Sequence, residues 1–402
     1  MARIAGAGPQ SCVVLAPYVL PGERVRAEAA QEKPGLVRAR TLEVLDPSAH
    51  RVSPRCPYFK GCGGCHYQHA SYEAQLAAKL AILEEELRRL GKIEPPAEIQ
   101  VLAAETWGYR NRVQLHIEAQ SLGYREARSH KLCPITQCPI ASPKLNETIA
   151  ALNGMLRDRR WPRFLRSLEI FTDEQQVQLN VLDAAQPVAR RFFDWCAERI
   201  PGLVLGALDY AGRFRVSRNS FFQVNRFLVD RLVENAIAGA RGETAVDLYS
   251  GVGIFALALA RSFQQVVAVE SSSAAVSDLR FNAERGAGAS ACQPLHATAE
   301  AGGAGASACQ PLHATAEAYL ESLETAPDFM LLDPPRAGLG KTVVRRLLEL
   351  KPGRLTIVAC DPSTLARDLP ALLAGGYSIE QMTLVDLFPQ TYHLETVVRL
   401  IC

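Results

Sequence analysis

Cys360 stands where an apolar run, residues 355–359, meets Asp361-Pro362-Ser363-Thr364 and the start of a helix. A sulfur near a helix N-terminus is favoured as the thiolate, the reactive form of cysteine. Glu395 opens the final β-rich run, residues 395–401, where a carboxylate can accept a proton. Each also has an inert reading: a cysteine at a strand end is commonly a small buried hydrophobe, and a glutamate opening a strand is commonly solvated. Covalent catalysis needs nucleophile and base in one pocket, so the elements around them decide between the readings.

From about residue 244 short apolar strands alternate with longer helices, the pattern of a parallel α/β sheet. Residues 244–249 run into Ser250-Gly251-Val252-Gly253 and then an apolar helix over 254–263. Strand, glycine turn and helix form the nucleotide-cofactor arrangement, because glycines admit a ligand close to the backbone. A second strand, 265–269, ends in Glu270, where a carboxylate can accept both hydroxyls of a ribose. The dinucleotide fingerprint wants a third glycine on the helix, yet position 256 is Ala. S-adenosyl-L-methionine (AdoMet), which has no phosphate, fits better. Strands 329–332 and 355–359 end in Asp333-Pro334-Pro335-Arg336 and in Cys360-Asp361-Pro362. Ligands bind at the carboxyl ends of such strands, so Gly251, Glu270, Asp333 and Cys360 belong on one edge. Runs 378–388 and 395–401 read as a terminal antiparallel hairpin, which brings Glu395 to that edge beside Cys360.

Upstream, residues 12–15, 23–29 and 36–45 are short β-rich runs with Pro-Gly turns, as in a small β-barrel. Cys56, Cys62 and Cys65 follow with C-x5-C-x2-C spacing and with Gly61, Gly63 and Gly64 between them. Such thiolates suit a structural zinc as well as an iron-sulfur cluster. Residues 71–91 have helical periodicity, opening near a Ser and closing at a Gly, and 98–218 read as mixed and β-rich, with strands at 113–119 and 177–182. Residues 286–301 recur unchanged at 303–318, too short and isolated for a solenoid. Only one copy can fill one strand position in the sheet, which leaves the other as a surface loop. The 402 residues, 48% hydrophobic and 21% charged, suit a globular enzyme of two or three domains, and a net charge of +2 leaves the partner open. No run reaches the ~18 apolar residues of a membrane span and MARIAGAGPQ lacks a secretory apolar core, so a cytoplasmic, membrane-free monomer is expected. Eleven cysteines in a reducing compartment point to metal or catalysis, not disulfides.

The strings PGERV (21–25), CPYFKGCGGCHYQH (56–69), QCPI (137–140), FFQVN (221–225), DLYSGVGIFALALA (247–260), LLDPPRAGL (331–339), ACDPSTLARDL (359–369) and FPQTYHLETVV (388–398) resemble the bacterial 23S rRNA uracil-5-methyltransferase family over most of the chain. The resemblance implies a Rossmann-like class I methyltransferase α/β catalytic domain (216–402), an N-terminal OB-like TRAM β-barrel (1–50) whose first strand is incomplete, and a central mixed α+β iron-sulfur domain (51–215). It implies AdoMet contacts at Gln223, Tyr249, Gly251, Gly253, Glu270 and Asp333, with Cys360 as nucleophile and Glu395 as base. Cys138 becomes the fourth ligand of a [4Fe-4S] cluster beside Cys56, Cys62 and Cys65, with no role for Cys133. The partner is then 23S rRNA, presenting a single-stranded or flipped uridine, with Phe221, Phe222 and Arg336 as RNA contacts. Asp361 departs from the Asn usual in the family, a charge expected to raise the Cys360 pKa. The competing readings are a tRNA uracil-5-methyltransferase, a cytosine-5 enzyme, and an RNA-binding iron-sulfur protein that has lost activity.

Overall fold

The computed structural model describes residues 2–4, 12–288 and 308–402. Four N-terminal strands, β1 (Ala2–Ile4), β2 (Cys12–Leu15), β3 (Arg24–Lys33) and β4 (Leu36–Asp46), pair in the order β1-β2-β4-β3. The sequence suggested a barrel, but among the described residues no pairing of β1 with β3 closes this sheet. Along β3 only Val25 is even partly covered, so that strand offers no apolar face to fill a barrel interior.

Helix α1 (Tyr72–Glu86) starts where the Ser71 side chain accepts the N–H of Ala74, and it widens into a π-helical turn over Leu87–Gly91. After β5 (Gln100–Leu102) come β6 (Arg112–Glu118), β7 (Ser121–Arg125), β8 (Leu132–Pro134), α2 (Pro143–Met155), β9 (Leu165–Thr172), β10 (Val177–Ala184), α3 (Arg190–Arg199) and β11 (Leu203–Val204). These strands form a central sheet in the order β11-β10-β9-β6-β7-β8, with Leu145, Leu152, Phe192 and Trp195 of the two helices in its core. A hairpin of β12 (Leu208–Tyr210) and β13 (Phe214–Val216) then leads to α4 (Val229–Ala236).

The rest of the chain builds the large sheet. Its elements are β14 (Gly242–Leu248), α5 (Ile254–Leu259), β15 (Phe263–Glu270), α6 (Ser273–Gly288), β16 (Cys309–His313), α7 (Ala316–Ser322), β17 (Phe329–Leu332), α8 (Gly340–Leu350), β18 (Arg354–Ala359), α9 (Pro362–Ala374), β19 (Ser378–Val385) and β20 (Glu395–Ile401). The order is β16-β15-β14-β17-β18-β20-β19-β5. Alternate residues feed two cores: Ala245, Leu331, Val358 and Val397 pack with α4, α5 and α6, while Val246, Leu332, Ile357 and Val398 pack with α7, α8 and α9. Both faces are covered, which is why the parallel strands are apolar almost throughout. Leu83 and Leu87 join the second core, so α1 packs on this sheet. The helix expected over 254–263 stops at Leu259 because Phe263 already begins β15, and the strand expected over 378–388 ends at Val385. The second copy of the repeat, through Cys309–His313, supplies the edge strand β16, parallel to β15. The first copy, from residue 289 onward, lies outside the described residues. Among the described residues no helix is long and apolar enough to cross a membrane.

One ion pair is sealed inside. Lys79 of α1 donates to Asp386 at 2.6 Å and to the Phe388 carbonyl at 3.0 Å, Tyr72 donates to the other Asp386 oxygen at 2.8 Å, and neither charged side chain reaches solvent. Burial lowers the Lys79 pKa and Asp386 pushes it back up. Lys79→Met strands a buried carboxylate, so it is expected to cost about 3–5 kcal/mol of stability, read as a fall in the urea midpoint. Lys79→Met with Asp386→Leu is expected to recover part of that loss, and equal midpoints for the single and double variants would contradict this account.

Candidate active site

Strands β18 and β20 run antiparallel, with Ala359 opposite Thr396. One step further along the same register sets Cys360 against Glu395. The carboxyl ends of β14, β15 and β17 open on the same side: Asp333 follows β17 and donates its N–H to the Leu248 carbonyl at 3.3 Å. The edge expected from sequence is therefore present, with Gly251, Glu270, Asp333, Cys360 and Glu395 along it.

The electrostatics differ from expectation. Burial pushes the Cys360 thiol up to about 11, with the carboxyls of Glu395 and Asp333 adding to the rise and Arg336 opposing it. Burial, and then Asp333, holds the Glu395 carboxyl well above the usual carboxylate range, again against Arg336. Burial lifts Asp333 to about 7. A thiolate favoured by the N-terminus of α9 is thus not the resting state: burial and the neighbouring carboxyls outweigh it, and the free N–H groups of that helix end are already taken by the Asp361 carboxylate, which accepts from Ser363 (2.9 Å) and Thr364 (3.2 Å). The rise expected from Asp361 comes instead from burial, Glu395 and Asp333. Glu395 is 5% exposed and its Oε1 has no hydrogen-bond partner.

On the other side of the edge the chain turns through Tyr249 (φ +62°), Gly251 (φ +55°) and Gly253 (φ +95°). A Cβ at Gly253 would lie 2.5 Å from Leu279 Cδ1, whereas one at Gly251 would meet nothing within 4 Å. Glycine is required at the first by packing, and space lies open at the second. Glu270 accepts the Gly251 N–H at 2.9 Å and the Ser272 N–H at 2.6 Å, which fixes its carboxylate beside that space. Asp247, the residue before Leu248 in β14, was not singled out from sequence. It is fully buried, neither of its oxygens makes a well-formed hydrogen bond, and burial followed by the Asp333 charge raises its pKa well above the usual range, with only the Ala256 N–H opposing. A lone carboxylate inside the apolar run of β14 was the available signal. Gln223 is buried, its carbonyl accepting from Asn111 at 2.9 Å, and among the described residues it shares no hydrogen bond with these groups. Of the aromatic pair before it, Phe221 is 61% exposed, but Phe222 is core, packed on Tyr210 at 4.4 Å between ring centroids. Phe222 is therefore unavailable to a ligand.

Cys56, Cys62, Cys65 and Cys138 converge on one region: burial raises Cys62 and Cys65 to about 12, Cys62 feeling also the charges of Cys133, Cys138 and Cys56, and Cys65 those of Cys138, Cys62 and Cys56. Among the described residues, however, no three His, Cys, Asp or Glu side chains are gathered as a metal's ligand set. Their arrangement is that of neighbouring thiols, not of a coordination sphere, and it does not by itself fit a cluster. Cys133, on β8, stands near them, its sulfur 4.0 Å from where a Gly61 Cβ would be. Beside the cysteine loop a cavity of about 1480 Å³ extends from Tyr392 past His66, His69 and Lys60 to Arg125 and Arg128.

The model of the tRNA (Uracil-5-)-methyltransferase family matches residues 194–402. An uncharacterized RNA methyltransferase of Thermosynechococcus vestitus is 33% identical, over 97% of this chain and 93% of its own. A 23S rRNA (uracil(1939)-C(5))-methyltransferase of Halomonas elongata is 32% identical, over 95% of this chain and 83% of its own. The crystal structure of a Pyrococcus abyssi tRNA (uracil-54, C5)-methyltransferase in complex with S-adenosyl-L-homocysteine is similar at a TM-score of 0.71 and 25% identity, covering 96% of this chain and 95% of that one.

Proposed function

As a member of the RNA uracil-5-methyltransferase family, to which this chain belongs, the protein has a reaction whose details follow from its site, and we propose that it transfers the methyl group of AdoMet to carbon-5 of a uridine in 23S rRNA through Cys360 and Glu395. The observation that supports this reading is that the β18–β20 register ends at Ala359 opposite Thr396, leaving Cys360 and the buried Glu395 as the next residues of the two strands, close enough for the carboxyl to act on the thiol. Relatives named for 23S rRNA at 31–32% identity favour that substrate over tRNA, whose solved enzyme is 25% identical.

Carbon-5 of uracil is too weak a nucleophile to displace the sulfonium methyl unaided. The Cys360 sulfur adds to carbon-6, carbon-5 becomes enolate-like and takes the methyl, and Glu395 removes the carbon-5 proton so that the sulfur leaves. The products are 5-methyluridine and S-adenosyl-L-homocysteine. AdoMet suits the other side of the edge: Glu270 is fixed to receive ribose hydroxyls, Gly251 leaves room for the ligand, and the uncompensated carboxyls of Asp247 and Asp333 favour a cation. A sulfonium beside them lowers the pKa of Cys360 and Glu395 together, so cofactor binding arms the nucleophile. The uridine must leave its stack to reach the sulfur, and the large cavity offers the flanking strand a path. Residues 1–50 are read as a TRAM-type RNA-binding module, 51–215 as the central domain and 216–402 as the methyltransferase domain. Cys56, Cys62, Cys65 and Cys138 are read as [4Fe-4S] ligands on the strength of the family resemblance alone, and no step of the transfer runs through the cluster.

The test is transfer of labelled methyl from AdoMet to unmodified large-subunit rRNA and to tRNA, with nucleosides identified after digestion. Label in 5-methyluridine from rRNA alone is expected. Label in tRNA alone would overturn the substrate, and no label in either would overturn the activity.

A further inference from the structure

Nothing bonds the Glu395 carboxyl at Oε1, so the place of this side chain is set by where the backbone enters β20. That backbone arrives through residues 386–394, and its carbonyls are tied one after another to separate parts of the chain. The Leu387 carbonyl accepts from Asn225 Nδ2 (3.1 Å), Phe388 from Lys79 Nζ (3.0 Å) and Pro389 from the Tyr109 hydroxyl (3.0 Å). The Gln390 carbonyl accepts two backbone N–H groups, those of His66 and Tyr67, at 2.9 Å each. These two residues directly follow Cys65.

Gln390 is the pivot. It is 3% exposed and sits at φ +69°, a left-handed conformation that a side chain disfavours. Such a conformation persists only where its surroundings over-determine it, and here Gln75 of α1 does so. Gln75 Oε1 accepts the Gln390 N–H at 2.9 Å, and Gln75 Nε2 donates to Gln390 Oε1 at 3.0 Å while also donating to the Ala70 carbonyl at 3.0 Å. We propose that Gln390 and Gln75 are positioning residues of the methyl transfer: the pair locks the left-handed turn against α1 and the cysteine loop, and thereby aims the Glu395 carboxyl at the carbon-5 proton. The inference rests on reading Glu395 as the base. It makes the cysteine loop part of the support for proton removal, whatever else that loop holds.

The pair serves the last step, so its loss should show there. Gln75→Met keeps volume and removes both bonds to Gln390, and Gln390→Gly keeps the turn and removes only the side-chain bond. Both are compared with Glu395→Gln for AdoMet affinity, for turnover, and for protein covalently attached to RNA on a denaturing gel. Expected for Gln75→Met is an AdoMet affinity within about twofold of the parent, a turnover lower by about 100-fold, the scale of a ~1 Å misplacement, and accumulated methylated adduct. Gln390→Gly should do the same more weakly, and it decides the matter if Gln75→Met does not fold. Adduct in Glu395→Gln but in neither glutamine variant would overturn the inference alone, as would parallel losses of AdoMet affinity and turnover without adduct. No adduct in Glu395→Gln would overturn the assignment of the base, and the inference with it.

Discussion

Glu395→Gln is expected to yield an enzyme that completes the methyl transfer once and then stays bound to its product. Addition of the Cys360 sulfur and attack on the methyl group do not need a carboxylate, whereas removal of the carbon-5 proton does, and an amide cannot accept it. The methylated RNA therefore remains joined to Cys360, visible as a band that survives denaturation and carries label from AdoMet, while turnover falls by about 10²–10⁴-fold. The fold should tolerate the change. Burial and Asp333 raise the Glu395 pKa, so the carboxyl favours stability below its unfolded pKa, and that contribution is lost as pH rises through the folded value. Gln is a neutral isostere, so the variant should match the parent at low pH and exceed it at high pH in a denaturant titration. A variant that turns over normally would end the assignment.

Cys360→Ala should abolish both transfer and adduct, a loss on the order of 10⁴-fold or more, with AdoMet binding intact. The parent's pH dependence belongs to the same residue. Burial, Glu395 and Asp333 push the thiol up to about 11, so at neutral pH most of it is protonated and unreactive. Because the reactive fraction grows as protons leave, kcat/KM should climb with pH through the neutral range toward an alkaline plateau, about tenfold per unit where one deprotonation limits the rate. Asp333→Asn removes a charge that raises the thiol, so that limb should move to lower pH even as AdoMet binds less well. A flat profile from pH 6 to 9, or residual transfer in Cys360→Ala, would contradict the role given to the sulfur.

Four groups of the proposed catalytic edge were legible because each closes an apolar run, whereas Glu395 opens one. Gly251, Glu270, Asp333 and Cys360 stand at or just past the ends of strands whose direction is fixed by the alternation of strand and helix, and the antiparallel return of β20 follows from the helix-free connection over 386–394. Asp247 lies within a strand, where its one sequence signal is a carboxylate inside an apolar run, and only burial and missing partners set it apart from an ordinary strand residue. Charge state was also not legible: Asp361 reads as a perturbing neighbour of Cys360, yet it spends its carboxylate on the cap of α9. Phe221 and Phe222 look alike in sequence, and packing alone sends one outward and the other into the core. The work of Gln75 could not be read either, since its partner is 315 positions away.

That separation also sets a timetable. Lys79 and Asp386 are 307 residues apart, and a ribosome adding roughly 5–20 residues per second needs about 15–60 s to make the intervening chain. For that interval α1 and β5 exist without the strands they will cover, and a lysine bound for a sealed interior stays hydrated. The turn over 386–394 supplies the buried partners of two α1 side chains, Asp386 for Lys79 and Gln390 for Gln75. A nascent polypeptide that stalls before residue 386 therefore has the cysteine loop and the strands through β19, but lacks both the partner of Lys79 and the proposed base, Glu395.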